Sequence, residues 1–271
     1  MGEKDKIDRS FFAKDNMNLA PKWGGRTLVD PVIKKQKTSS ENGSNPGLAS
    51  FALRKRLVER LRHRGISDET VLSAIENIER HTFVDSALAS LAYEDIALPL
   101  GFGQTISQPF VVARTISIVR KLLSKCKTDA DFTKLRVLEV GCGSGYQASV
   151  LSECFGHVTS VERIFQLYEN AVRNCDAQLR SGRLKVYFVD GSSGFESEGP
   201  YDAIFFSAAL KKFPVSLINQ LTSGGVVIAP TGEQVQHLLA GTKNFPHSKI
   251  LSVTKFDAVS YVPVKEGLER L

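Results

Sequence analysis

The sequence predicts an α/β fold, a doubly wound and mostly parallel sheet with helices on both faces, preceded by a helical lead-in. Short β-branched runs alternate with segments of helical spacing through the C-terminal half of the chain. A glycine-rich loop, GCGSG, directly follows the first of these runs, and two later runs end on an acidic residue. Alternation of this kind needs crossover helices, and parallel strands covered on both faces read as short continuous apolar runs.

Bulk properties bound the answer. With 271 residues, 42% hydrophobic and 24% charged, the chain can bury one good core. No apolar run approaches the roughly 20 residues of a membrane span. The stretch MGEKDKIDRS carries charges where a signal peptide has its apolar segment, so a cytoplasmic location is expected, with no membrane partner. The net charge of +6 is drawn in part from VIKKQK, LRKR and LRHRG in the N-terminal third, which read as solvated faces, so nucleic-acid binding is not expected. Cys126, Cys142, Cys154 and Cys175 show neither CxxC nor Cys/His spacing; they read as reduced structural thiols, and no metal site is expected. Oligomeric state leaves no signature.

Along the chain, residues 1–46 show no sustained period. KKQKTSSENGSNPG cannot bury enough apolar surface to offset ordering, so this part reads as a disordered or loosely docked tail, with one apolar island in FFAKDNMNLAPKWGG. A single domain is expected over 47–271. Its lead-in, 47–125, places Leu53, Leu57 and Leu61 on one helix face. A second helix, capped by Ser67 or Asp68, turns Val71, Leu72, Ile75 and Ile78 inward. The segment GFGQTISQPF reads as a loop between helices, with Pro109 opening the helix VVARTISIVRKLL. In the core, 126–271, strands are expected at RVLEVG, VTSVER, LKVYFVD, YDAIFFSA and GGVVIAP. Helices are expected from Tyr146, over LYENAVRNCDAQL and near VSLINQL. ILSVTKFDAVSYVPV adds strand and an antiparallel edge, and no internal repeat is present.

Gly141, Gly143 and Gly145 stand between a buried strand and a helix N-terminus, where glycine permits positive φ and close approach of a ligand to backbone N–H groups. A dinucleotide fingerprint needs a glycine where this chain has Tyr146, which argues against a pyrophosphate. Glu162, at the end of the next strand, is placed to bind ribose hydroxyls, and Asp190 to read an exocyclic amine. Together they describe a nucleoside site without a phosphate clamp, which S-adenosyl-L-methionine fits.

The stretches AYEDIALPLGFGQTISQPF, RVLEVGCGSGYQ, SVERI, FVDGSSGF, PYDAI, LTSGGVVIAPTGEQ and SYVPV resemble the protein-L-isoaspartate O-methyltransferase family, from about Leu53 to Leu271. QTISQP is the most discriminating of them. The resemblance implies a Rossmann-like methyltransferase fold and an enzyme that repairs damaged proteins. Methyl transfer would run from S-adenosyl-L-methionine to the α-carboxylate of L-isoaspartyl residues in proteins and peptides. It further implies Ser107 as the catalytic residue, and Gln104, Thr105, Ile106, Glu139, Gly141, Gly143, Gly145, Glu162, Asp190 and Gly191 as cofactor contacts. The chain departs from the family pattern at Val189, where glycine is usual, and in FSAALKKFP, which puts Ser207 at a threonine position and Leu210 where proline is common.

An α-carboxylate with a pKa near ~3.5 is already an anion at neutral pH, so such a reaction needs no general base and rests on alignment. Ser107 would orient one carboxylate oxygen. His63, His81, His157, His237 and His247 fall in none of the motif loops. Two alternatives stay open at this stage. One is a methyltransferase of the same fold with a small-molecule or RNA acceptor; base-amine enzymes commonly carry an Asn/Asp-Pro-Pro-aromatic run where this chain has FSAAL. The other is a catalytically silent nucleoside-binding module.

Overall fold

The computed structural model describes residues 51–212, 215–243 and 251–270; the expected tail and its FFAKDNMNLAPKWGG island lie outside them. The lead-in begins with α1 (Phe51–His63) and α2 (Glu69–Asn77). Leu57 and Leu61 are buried, Leu53 is half-buried, and α2 buries Val71, Leu72 and Ile75. Asp68 is the cap of α2, its carboxylate accepting from the Thr70 and Val71 amides at 3.1 and 3.3 Å. Two 3-10 turns come next, Arg80–Phe83 and Ser86–Leu91.

The segment expected as a plain loop is a hairpin instead. β1 (Leu98–Gly101) pairs antiparallel with β2 (Gln104–Ile106), with Gly101 opposite Gln104. Phe102 and Gly103 take φ of 53° and 67°. Positive φ at both central residues is the two-residue turn whose twist matches its flanking strands. The sequence hides it, because a bulky aromatic seldom adopts positive φ and strands of three or four residues show no alternation. Leu98 and Ile106 sink into the core and fix the hairpin's inner face. Beyond the hairpin lies α3 (Pro109–Cys126), with proline in its first turn as expected.

The core runs β3 (Arg136–Val140), α4 (Tyr146–Cys154), β4 (His157–Glu162), α5 (Phe165–Asn174), α6 (Asp176–Arg180) and β5 (Leu184–Phe188). It continues with β6 (Tyr201–Phe206), α7 (Val215–Asn219), β7 (Leu221–Thr231), β8 (Gln236–Lys243) and β9 (Leu251–Val259). The sheet order is β5-β4-β3-β6-β7-β8-β9, with the first five strands parallel and the last two antiparallel. Crossovers step from β3 outward through β4 to β5 and, on the other side, from β6 to β7, and such connections between parallel strands are right-handed as a rule. Helices between strands that progress in opposite directions fall on opposite faces. β6 is buried along its whole length, as a central parallel strand must be.

Two expectations need correction. The single helix expected over LYENAVRNCDAQL divides at Cys175, whose backbone leaves helical geometry at φ −96° and ψ 17°. The Cys175 thiol is held inward by Ser149 Oγ at 3.3 Å and the Gly145 carbonyl at 3.4 Å. The sequence also gives no sign of β8. QHLLAGTK has little intrinsic strand preference, and its pairing with β7 on one side and β9 on the other decides its conformation.

Arg120 of α3 ties the lead-in to the core. Its guanidinium donates to Asp68 Oδ2 at 2.8 Å, Thr70 Oγ1 at 3.2 Å and the Cys154 carbonyl at the end of α4 at 2.9 Å. Asp68 therefore both caps α2 and partners Arg120. Asp68→Ala is expected to lower unfolding free energy by about 1–2 kcal/mol. Asp68→Asn keeps the cap, loses only the ion pair, and should cost less. Urea unfolding monitored by circular dichroism measures both.

Candidate active site

A cavity of about 830 Å³ opens beyond the C-terminal ends of β3, β4, β5 and β6, where the direction of winding reverses. Its floor is the turn from β3 into α4, stitched to β4 by Gly141 N–H and Cys142 N–H, which donate to the Val161 carbonyl at 2.9 and 3.1 Å. Gly145 opens α4 with φ of 91°, and a Cβ there would stand 2.4 Å from Cys175 Sγ. Gly145 therefore supports the floor from behind and does not line the cavity, unlike Gly141 and Gly143. At Gly191 a Cβ would stand 2.5 Å from Val161 Cγ2, so only glycine lets the chain after β5 close on β4. Tyr146 turns toward the lead-in: it is buried, its ring meets Phe83 edge-on at 5.6 Å, and burial pushes its phenol up to about 12.

Two buried carboxyls face this floor. Glu162 accepts from Gly143 N–H at 2.8 Å and Ile164 N–H at 2.9 Å, so it shapes the glycine turn as well as lining the cavity. Burial raises its pKa, and those amide donors oppose the rise. Glu139, on β3, is fully buried; burial lifts it to about 8 against the pull of Ser160, whose hydroxyl donates to it at 2.5 Å. Ser207 Oγ donates to the other Glu139 oxygen at a long 3.5 Å and accepts from Gln147 Nε2 at 2.9 Å. A carboxylate keeps acceptor capacity beyond two hydrogen bonds, so Glu162 can still receive ligand hydroxyls.

Asp190 lies at the same rim. It accepts from Ser192 N–H at 2.9 Å and from Gly267 N–H at 2.6 Å, so the C-terminal segment crosses beside it. That segment is anchored further by the Arg163–Glu269 ion pair at 2.7 Å and by Arg270 over the rings of Phe165 and Phe188.

The opposite wall is built by β2 and the turn into α3. Gln104, Thr105, Ile106 and Ser107 all line the cavity. Asp95 sets their exit: its Oδ1 accepts from Phe110 N–H at 2.8 Å, and its carbonyl accepts from Gln108 Nε2 at 2.7 Å. Tyr261 closes this wall, its backbone gripped by the Gln236 amide at 2.7 and 2.9 Å. Burial pushes its phenol up to about 12, with Ser107 and Thr115 as polar neighbours acting the other way.

Ser107, the three residues before it, Glu139, Gly141, Gly143, Glu162, Asp190 and Gly191 thus share one cavity, and Gly145 alone stands outside its lining. Ser207, Gln147 and Tyr261 also line it, and the sequence reading gave none of them a role. SYVPV carried a signal for Tyr261, whereas Gln147 and Ser207 become neighbours only through the parallel pairing of β3 with β6. The departure at Leu210 has a structural reason: its N–H donates to the Pro230 carbonyl at 2.8 Å, a bond proline could not make. Among the described residues no histidine lines the cavity.

The family described as protein-L-isoaspartate(D-aspartate) O-methyltransferase matches residues 52–269. A protein-L-isoaspartate O-methyltransferase from Bordetella avium is 45% identical over 247 residues, covering 90% of this chain and 87% of that protein. One from Aromatoleum aromaticum is 44% identical over 225 residues, covering 83% of this chain and 97% of its own length. A solved protein-L-isoaspartate O-methyltransferase superposes with a TM-score of 0.67 at 30% identity, covering 79% of this chain and 67% of that one. A Plasmodium falciparum chain solved with S-adenosyl-L-homocysteine shares the fold, with a TM-score of 0.66 at 23% identity, covering 78% of this chain and 98% of its own.

The raised pKa of Glu139 makes stability depend on pH. Between its ordinary 4.5 and its folded value of about 8, the folded chain keeps a proton that the unfolded chain releases. This contribution is complete below the unfolded value and is lost as pH rises through the folded one, at up to about 1.4 kcal/mol per pH unit. Glu139→Gln removes the titration. The variant is expected to gain stability relative to the parent as pH rises from 5 to 8, read from paired melting curves across that range.

Proposed function

The chain belongs to the protein-L-isoaspartate(D-aspartate) O-methyltransferase family, and from that premise we infer that it is a protein-repair enzyme. It transfers the methyl group of S-adenosyl-L-methionine to the α-carboxylate of L-isoaspartyl residues in proteins and peptides. One observation carries this reading: the family match spans the glycine floor and the Ser107 wall of the same cavity, so donor and acceptor sides are matched together.

The donor half of the cavity fits such a cofactor. The turn through Gly141 and Gly143 exposes backbone with no basic residue in it, which suits a nucleoside better than a phosphate chain. Glu162 would take the ribose hydroxyls, Asp190 and Gly191 the base, and Glu139 would lie toward the cationic end. Gln104, Thr105 and Ile106 would cover the donor from the hairpin side. When bound, the cofactor supplies an electrophilic methyl group on a sulfonium.

The chain's own residues then have a limited task. The acceptor arrives ionised, because a carboxyl of this kind has a pKa near ~3.5, so the reaction needs no general base. Ser107 would donate its hydroxyl to one acceptor oxygen, while Ile106 and Tyr261 help to exclude water. Partners are therefore isoaspartyl-bearing proteins and peptides. The location we propose is the cytoplasm; among the described residues no helix is long and apolar enough to cross a membrane.

The enzyme should methylate an isoaspartyl peptide and leave its aspartyl twin essentially unmodified, measured by transfer of labelled methyl. Equal rates would refute the acceptor assignment. Ser107→Ala should slow single-turnover transfer tenfold to hundredfold, about 1.5–3 kcal/mol for one hydrogen bond to a charged group, with cofactor affinity by calorimetry unchanged. An unchanged rate would reduce Ser107 to a structural loop residue.

A further inference from the structure

Arg80 is one of the largest fully buried side chains, at 0% exposure, and no carboxylate pairs with it among the described residues. The two terminal nitrogens of its guanidinium donate to main-chain carbonyls, Nη1 to Ala92 at 2.6 Å and Nη2 to Ile96 at 3.1 Å and Ser107 at 3.0 Å, while its Nε has no hydrogen-bond partner among the described residues. The position of those carbonyls matters. Ile96 stands two residues before β1 and Ser107 one residue after β2, so a single nitrogen holds both ends of the hairpin. The cation also lies 5.5 Å from the ring centroid of Tyr146, the first residue of α4 after the glycine turn. The nearby Asp95 carboxylate is committed elsewhere, to Phe110 N–H and to an ion pair with Arg64.

A buried cation is expensive to desolvate, and a well-packed apolar residue would fill such a space at lower cost. What an apolar residue cannot do is fix three carbonyls from one rigid plane. Lysine offers a point charge on a flexible stem, so it could not hold the same set with the same geometry. We propose that Arg80 is a positioning residue for the transfer reaction: it clamps both ends of the β1–β2 hairpin against Tyr146 so that Ser107 keeps its place across the cavity from the glycine turn. The inference rests on the reading of Ser107 as the group that orients the acceptor.

A double-mutant cycle tests it. Arg80→Lys, Ser107→Ala and the double variant are compared in single-turnover transfer to an isoaspartyl peptide, with S-adenosyl-L-methionine affinity by calorimetry and melting by circular dichroism alongside. Arg80→Lys alone should slow transfer by about tenfold or more, with cofactor affinity changed less than about twofold. Added to Ser107→Ala it should slow transfer by no more than about threefold further, because residues acting through one another are non-additive. Full multiplication of the two effects overturns the proposal while leaving the Ser107 reading intact. So does a loss of cofactor affinity as large as the loss of rate, which would make Arg80 a general support of the cavity. A normal rate in Ser107→Ala refutes the Ser107 reading itself, and the proposal with it. If Arg80→Lys does not fold, Arg80→Gln, which keeps two N–H donors without the charge, enters the same cycle with the same expectations.

Discussion

The chain leaves β3 toward β4 but leaves β6 toward β7, and right-handed crossovers in opposite directions carry the connections after these adjacent strands to opposite faces, so the loops diverge. The crevice between them is a consequence of chirality and strand order before any side chain is considered. Every element of the site depends on it. The turn after β3 enters the crevice as a glycine loop stitched to the Val161 carbonyl, β4 ends there on Glu162, and β6 leads there into Ser207. The C-terminal segment returns across it, with Ala209 N–H and Val264 N–H donating to the carbonyls of Val262 and Ala209 at 2.7 and 2.9 Å.

Crowding carboxyls at the ends of buried parallel strands has an electrostatic cost, and the two acidic residues meet it differently. Burial raises the pKa of both: at Glu162 two backbone N–H groups oppose the rise, whereas Glu139 lies deeper on β3, receives hydroxyls and is lifted to about 8. A hydroxyl can donate to either protonation state by rotating, but a fixed amide N–H favours the charged one. The same residue type is thus held by fixed amides in one place and by rotatable hydroxyls in the other.

The wall to which we assign the acceptor is mechanical more than chemical. A reaction whose nucleophile arrives as an anion gains from geometry, and the protein invests in stiffness there. The hairpin is anchored by Leu98 and Ile106 below, by Asp95 at the start of α3, and by the Arg80 guanidinium at its two ends. Facing it, Gln236 holds Tyr261 through both its amide atoms. Arg80 and Gln236 lie outside the stretches that resemble the family, so neither of these supports reads as part of a motif.

The sequence by itself determined the alternation of strand and helix, the glycine turn, and the acidic ends of β4 and the segment after β5. These are local signals, written in period, in glycine placement and in residues consecutive in the chain. It did not reveal the hairpin, because Phe102 at positive φ contradicts its own preference, nor β8, whose residues become a strand only between β7 and β9. Nor did it separate Gly145 from the glycines that line the cavity, since the residue it accommodates, Cys175, is 30 positions away. The partners of Gln147, Ser207 and Arg80 were decided by tertiary structure alone. A hydrogen bond across 60 residues, as between Gln147 and Ser207, exists only once β3 and β6 lie side by side, and strand order is a property of the whole sheet.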